Sequence, residues 1–154
     1  MKDNRIVKYW FSIVLWMGFI FWMSTGTFSA TNTERILEPL LRFFVPAISG
    51  ATVEVIHTFV RKCAHVTEYF ILGLLVFRAF QEQSSSRQAA ITAGISLLIV
   101  AAFALTDEFH QMYVSTRTPS IIDVCIDAFG GFMAQCVSLL WYHRQRQQRV
   151  LGNR

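Results

Sequence analysis

Residues Ala89 to Leu105 contain no charged side chain, and this stretch restricts the chain more than any other. An apolar run of this length is too long for an ordinary strand and approaches the ~20 residues that cross a bilayer as a helix. Asp107 and Glu108 end it abruptly. Similar runs lie around it. Tyr9 to Met23 is rich in Trp, Phe, Ile and Leu, and Ile6 and Val7 extend it. Tyr69 to Phe80 is apolar up to Arg78, and a last run extends from about Ser120 to Tyr142. The 154 residues suffice for one domain. With 53% hydrophobic residues, a water-soluble fold would expose much apolar surface, whereas a bilayer removes that cost.

The expected fold is therefore all-α: a single membrane domain over residues 1–154, a four-helix bundle with spans at about 6–24, 55–80, 89–107 and 120–142. Thr27-Phe28-Ser29-Ala30 loosely resembles a leader cleavage region. The preceding run is long and aromatic for a leader and lacks an A-x-A end, so it is read as the first span. Between the first two spans, Ile36, Leu37, Leu40 and Leu41 recur at helical spacing while Arg35, Glu38 and Arg42 fall off that stripe. This pattern predicts a short interfacial helix capped by Thr31 or Asn32 and ended by Pro46 and Gly50. Gln81 to Gln88 reads as a loop, and His143 to Arg154 as a basic, polar tail.

The formal charge of +4 does not indicate nucleic acid, because the basic residues sit at the ends of apolar runs instead of along one face. Their distribution predicts orientation. With the N-terminus inside, Lys2, Arg5, Lys8, Arg78, Arg87 and the four arginines of the tail face the cytoplasm. They outnumber Arg35, Arg42, Arg61, Lys62 and Arg117 on the other side. The positive-inside rule then places both termini in the cytoplasm of a bacterial inner membrane. Cys63, Cys125 and Cys136 form neither a metal-type spacing nor an even disulfide framework, and read as small apolar side chains.

This topology brings three polar stretches to one side. In the second span Arg61, His65 and Glu68 share a helical face, with Lys62 and Tyr69 on the adjoining strip. At the end of the third, Asp107 and Gln111 share a face, with Glu108 and His110 beside them. The last span begins at Ser120, with Arg117 before it and Asp123 and Asp127 one turn apart. Each has a plainer reading. Ser120 and Asp123 match a capping box, Arg61 and Lys62 match headgroup anchors, and His65 matches a hydrogen-bonded bundle residue. Asp127 is harder to dismiss, because an acid a turn deeper in the membrane needs a cation, a proton or water. Lys62, Arg61 and Arg117 are the available cations. Gly130, Gly131 and Ala134 follow it and allow a neighbouring helix to come close.

These residues carry a resemblance. Lys62-x-x-His65-x-x-Glu68-Tyr69, Asp107-Glu108-x-His110-Gln111 and Arg117-x-x-Ser120-x-x-Asp123-x-x-x-Asp127-x-x-Gly130 resemble, in order and spacing, the VanZ-like family of bacterial membrane proteins. Ser24-Thr25 and Phe28-Ser29-Ala30-x-Asn32-Thr33 resemble that family's first outer segment. The family often has Asn where this chain has Asp127. It is named for a teicoplanin-resistance accessory protein, so the resemblance implies a cell-envelope role; it does not carry resistance over to this chain.

Three functions fit these residues. The first is a binding site at the outer face for an anionic or sugar-bearing envelope molecule, such as a lipid-linked or glycan precursor. Arg61, Lys62 and Arg117 would hold a phosphate or carboxylate. Asp107, Glu108, Gln111 and Asp123 would contact hydroxyls or amines, and Tyr69 with Phe109 would form an apolar wall. The second is an intramembrane hydrolase or transferase in which His65, Glu68, Asp107 and Glu108 do the chemistry. His65 and Glu68 would act as base and orienting carboxylate, or hold a divalent metal with Asp107, Glu108 or His110. No H-E-x-x-H motif is present, and the sequence assigns no cofactor and no metal ligand set. The third is a structural protein whose charges only fix the bundle.

Overall fold

The structure, a computed structural model, describes residues 2–81, 86–114 and 120–151, and these are helical apart from short connections. Five α-helices follow in order: α1 (Lys2–Met23), α2 (Ala30–Phe44), α3 (Gly50–Gln81), α4 (Ser86–Gln111) and α5 (Ile121–Leu151). A single 3-10 turn, Gly26–Phe28, lies between α1 and α2. Three helices, α3, α4 and α5, are long and apolar enough to cross a membrane. α1 meets that test only together with the turn and α2, across a bend of 60°.

The helix surfaces reverse the ordinary distribution of side-chain size. On α4 the inward stripe is Ala89, Ala93, Ser96, Val100, Ala104, Asp107 and Gln111, all buried, at spacings of three and four. Its outward side carries Ile91, Ile95, Leu98 and Leu105, with Leu98 72% exposed. α5 follows suit: Asp127, Gly130, Gly131 and Ala134 face in, and Phe129, Phe132, Val137 and Leu140 face out. Helices that are apolar on the outside and small or polar inside belong in lipid, where close packing of small residues replaces the hydrophobic drive of water.

α5 lies against both α3 and α4. The approach is closest at two glycines, against backbone at Gly130 and against a side chain at Gly131. A Cβ on Gly130 would sit 2.5 Å from the Val66 carbonyl oxygen of α3, and one on Gly131 would sit 2.6 Å from Val100 Cγ1 of α4. α1 packs on α3 through Ile13 and Ile20, and Trp16 Nε1 donates to the backbone carbonyl of Glu68 at 2.9 Å.

Helix ends differ from the sequence reading in physically simple ways. α3 begins at Gly50 because Ser49 caps it, its hydroxyl accepting the Thr52 N–H at 3.1 Å. At 32 residues α3 is roughly 48 Å long at ~1.5 Å per residue, well beyond a ~30 Å hydrocarbon layer. α2 starts after Ser29, and Asn32 is not its cap; its amide instead donates back to the Gly26 carbonyl at 3.1 Å. α5 does not stop near Tyr142 but continues to Leu151, since Arg and Gln are good helix formers and no Gly or Pro interrupts them.

Gly130→Ala must push α5 away from α3 backbone, and should cost about 1–3 kcal/mol of stability. Gly94→Ala meets nothing within 4 Å and should be neutral or up to about 1 kcal/mol stabilising. Thermal unfolding of the two variants in detergent checks both signs.

Candidate functional site

The end of α1, the end of α4, the start of α5 and the middle of α3 meet at one end of the bundle. Two hydrogen-bonded knots join them. In the first, Asp107 Oδ2 accepts from Ser24 Oγ at 2.7 Å and from Gln111 Nε2 at 3.1 Å, so α1 and α4 are tied through a carboxylate that is 0% exposed. Phe21 stacks on His110 beside it, with ring centroids 4.0 Å apart. In the second, His65 Nδ1 lies 3.1 Å from Asp127 Oδ1, joining α3 to α5. Asp127 is also 0% exposed. Its reach follows from the glycine contact one turn later, which lets α5 come close enough for a short side chain to meet the ring.

A third link closes the loop between α4 and α5. Glu108 Oε2 accepts the Ser120 backbone N–H at 2.8 Å, while the Ser120 hydroxyl accepts the Ile122 N–H at 3.2 Å. The expected capping box is thus half present. Ser120 caps α5, but Glu108 of a different helix, not Asp123, takes the Ser120 N–H.

Tyr69, with no exposed surface, lies close enough to Glu68, Asp107, Glu108 and Asp127 to feel each of their charges. Asp123 in turn lies near Glu108 and Asp127. The sequence stretches therefore converge as a group of carboxylates around one tyrosine and one imidazole. Several buried oxygens have spare capacity: Asp107 Oδ1, Glu108 Oε1, Asp127 Oδ2 and the Tyr69 hydroxyl have no hydrogen-bond partner among the described residues. Unpaired polar atoms of this kind are costly in a protein interior.

Beside this cluster, a cavity of about 370 Å³ opens between the end of α1, α2 and α3. Ile36, Leu37, Leu40 and Val60 form much of its wall, and Arg61, His65 and Glu68 stand together on the α3 side. His57 also borders it, held by a 2.7 Å contact from Nε2 to Thr33 Oγ1 of α2.

Several expectations change. Asp127 is paired with His65, not with Lys62 or Arg61, and Lys62 is exposed. The carboxylate on His65 Nδ1 comes from α5, whereas Glu68 was expected to orient the ring. Tyr69 and Phe109 do not form one wall: Tyr69 is in the core, and Phe109 is 58% exposed and packs on Tyr113. Among the described residues no three His, Cys, Asp or Glu side chains are grouped so as to hold a metal ion. Arg117 lies outside the described residues. Sequence reasoning missed the roles of Ser24, Trp16 and His57. Of these only His57, one turn before Arg61 on the same face, carried a signal that periodicity could have revealed.

A small-residue core, apolar outer faces and buried carboxylates tied across helices define an integral membrane protein of the polytopic helical class. A family model described as VanZ/LLP1 matches residues 9–142, and the chain belongs to this VanZ-like family. No curated protein and no solved structure matches the chain.

Ser24→Ala removes a hydrogen bond to a buried carboxylate and should cost about 1.5–3 kcal/mol. Ser120→Ala keeps the backbone N–H that reaches Glu108 and should cost about 1 kcal/mol, the loss of a cap. Unfolding midpoints in detergent should rank the two variants in that order.

Proposed function

We propose that the protein binds an amphiphilic cell-envelope molecule with an anionic or sugar-bearing headgroup. The cavity beside α2 and α3 carries this reading. It has apolar walls for a chain and one polar side, Arg61, His65 and Glu68, for a headgroup. Its volume of about 370 Å³ falls within the ~300–1,000 Å³ usual for small-molecule sites. Arg61 supplies the fixed positive charge that a phosphate or carboxylate requires, and its planar guanidinium suits bidentate contact. Glu68 and the carboxylates behind it would accept from sugar hydroxyls.

In this reading α1 is a fourth span, both termini lie in the cytoplasm of the inner membrane, and α2 lies in the interface. Supporting it, α2 exposes Ile36, Phe43 and Phe44, while Arg42 and Glu38 pair at 2.8 Å. The cavity then opens at the level where lipid headgroups meet acyl chains.

Native mass spectrometry of protein purified in mild detergent should detect a co-purifying lipid. Arg61→Ala should lower its occupancy about 10-fold, the loss of one charge-assisted contact. Leu37→Trp, which fills the cavity, should lower it similarly. Absence of bound lipid from the wild type would refute the reading. Orientation is checked separately with single cysteines in a cysteine-free background. A membrane-impermeant thiol reagent should label Met112→Cys in intact cells and leave Gln83→Cys unlabelled.

A further inference from the structure

We infer that His65 and Asp127 form a catalytic dyad that cleaves a phosphoester of the molecule held in the cavity, with His65 as general base and Asp127 as its positioning residue. This rests on the binding reading above and adds chemistry to it. The imidazole borders the cavity, and its Nδ1 is turned to a carboxylate with no exposed surface, 3.1 Å away on another helix. A carboxylate can only accept, so it fixes the tautomer with hydrogen on Nδ1 and leaves Nε2 as the basic atom. The carboxylate also favours the imidazolium that forms when Nε2 takes a proton. Structural needs explain this pair poorly, since a buried polar pair in a helix bundle can often be replaced by apolar side chains without loss.

The second component is Arg61. It lines the same cavity one turn before His65, near enough for its charge to reach the ring. A guanidinium in that position would hold the phosphate oxygens and offset charge that builds up on them. Arg61 thus selects an anionic ester over a neutral one. Glu68 borders the cavity on the same helix face.

In the step, Nε2 of His65 removes a proton from water as the water oxygen bonds to phosphorus. The phosphorus–oxygen bond to the departing group breaks, and the imidazolium returns the proton to that departing oxygen. One water is consumed, the electron pair of the broken bond stays with the departing oxygen, and no oxidant, reductant or further reactant is required.

The test uses the full chain reconstituted in vesicles of phosphatidylethanolamine, phosphatidylglycerol and cardiolipin doped with a polyprenyl diphosphate, with products identified by mass spectrometry. Polyprenol together with inorganic diphosphate identifies the polyprenyl diphosphate as the source of the ester. Glycerol phosphate, diacylglycerol or phosphatidic acid identifies a phospholipid. His65→Gln should slow release about 100-fold or more while still retaining lipid in native mass spectra, which also shows that it folds. Asp127→Asn should lower kcat about 10-fold or more with KM within about twofold, and Asp127→Glu should recover part of the loss. Arg61→Gln should instead raise KM. A wild-type protein that retains lipid but forms none of these products overturns the dyad and leaves the binding reading standing. Equal activity in His65→Gln, or equal losses in Asp127→Asn and Asp127→Glu, also overturns it. If the wild type retains no lipid, the binding reading fails and the dyad with it.

Discussion

The contact on which the rest depends is a glycine against a backbone. At Gly130 a hydrogen atom stands where a Cβ would meet the Val66 carbonyl oxygen at 2.5 Å and the Phe70 nitrogen at 3.2 Å. Helices that touch through backbone lie nearer than helices separated by leucines, and short side chains can then bridge them. Asp127 is short, and one turn from Gly130 it reaches His65. The neighbouring Gly131 makes room on the other side for the Val100 side chain of α4. The two glycines make α5 the central helix, and the polar knots form around it.

The price of this arrangement is a set of carboxylates out of water. Asp107, Glu108, Asp123 and Asp127 are near neighbours, and like charges at that range repel strongly where the dielectric is low. Donors from four different places hold Asp107, Glu108 and Asp127: the Ser24 hydroxyl, the Gln111 amide, the Ser120 backbone and the His65 ring. Helix ends supply three of these donors. The cluster therefore lies where helices stop or start, and the apolar middle of the bundle remains packed with small residues.

Much of the fold was legible because its signals are local. The uncharged run from Ala89 to Leu105 and the small-residue series after Asp127 read directly as membrane helices, and α3, α4 and α5 are such helices. Asp107 and Gln111 were placed on one face by spacing alone, and they are hydrogen bonded. Pairing between helices was not legible. Spacing left Asp127 open to a cation, a proton or water and offered Glu68 as one possible partner of His65, but which acid meets the ring depends on how closely α5 approaches. That distance is decided by the missing Cβ of Gly130, which a linear pattern records only as permission. Ser24 stood in the stretch that resembles the family's first outer segment, but a serine at the edge of an apolar run shows nothing of the acid it will meet on another helix. The continuation of α5 was read as a basic, polar tail because the apolar run stops near Tyr142, although polar residues with good helix propensity extend a helix readily once it leaves the bilayer.

The two interhelical knots also bear on biogenesis. Ser24 and Asp107 are separated by 83 residues, and His65 and Asp127 by 62. Neither can close until most of the polypeptide has left the ribosome. The early segments must wait in the bilayer with their polar groups solvated by water defects or headgroups, and only the arrival of α4 and α5 relieves them. Truncation or slow synthesis beyond Leu105 would therefore leave an incompletely assembled protein displaying a histidine and a serine that have not met their acids.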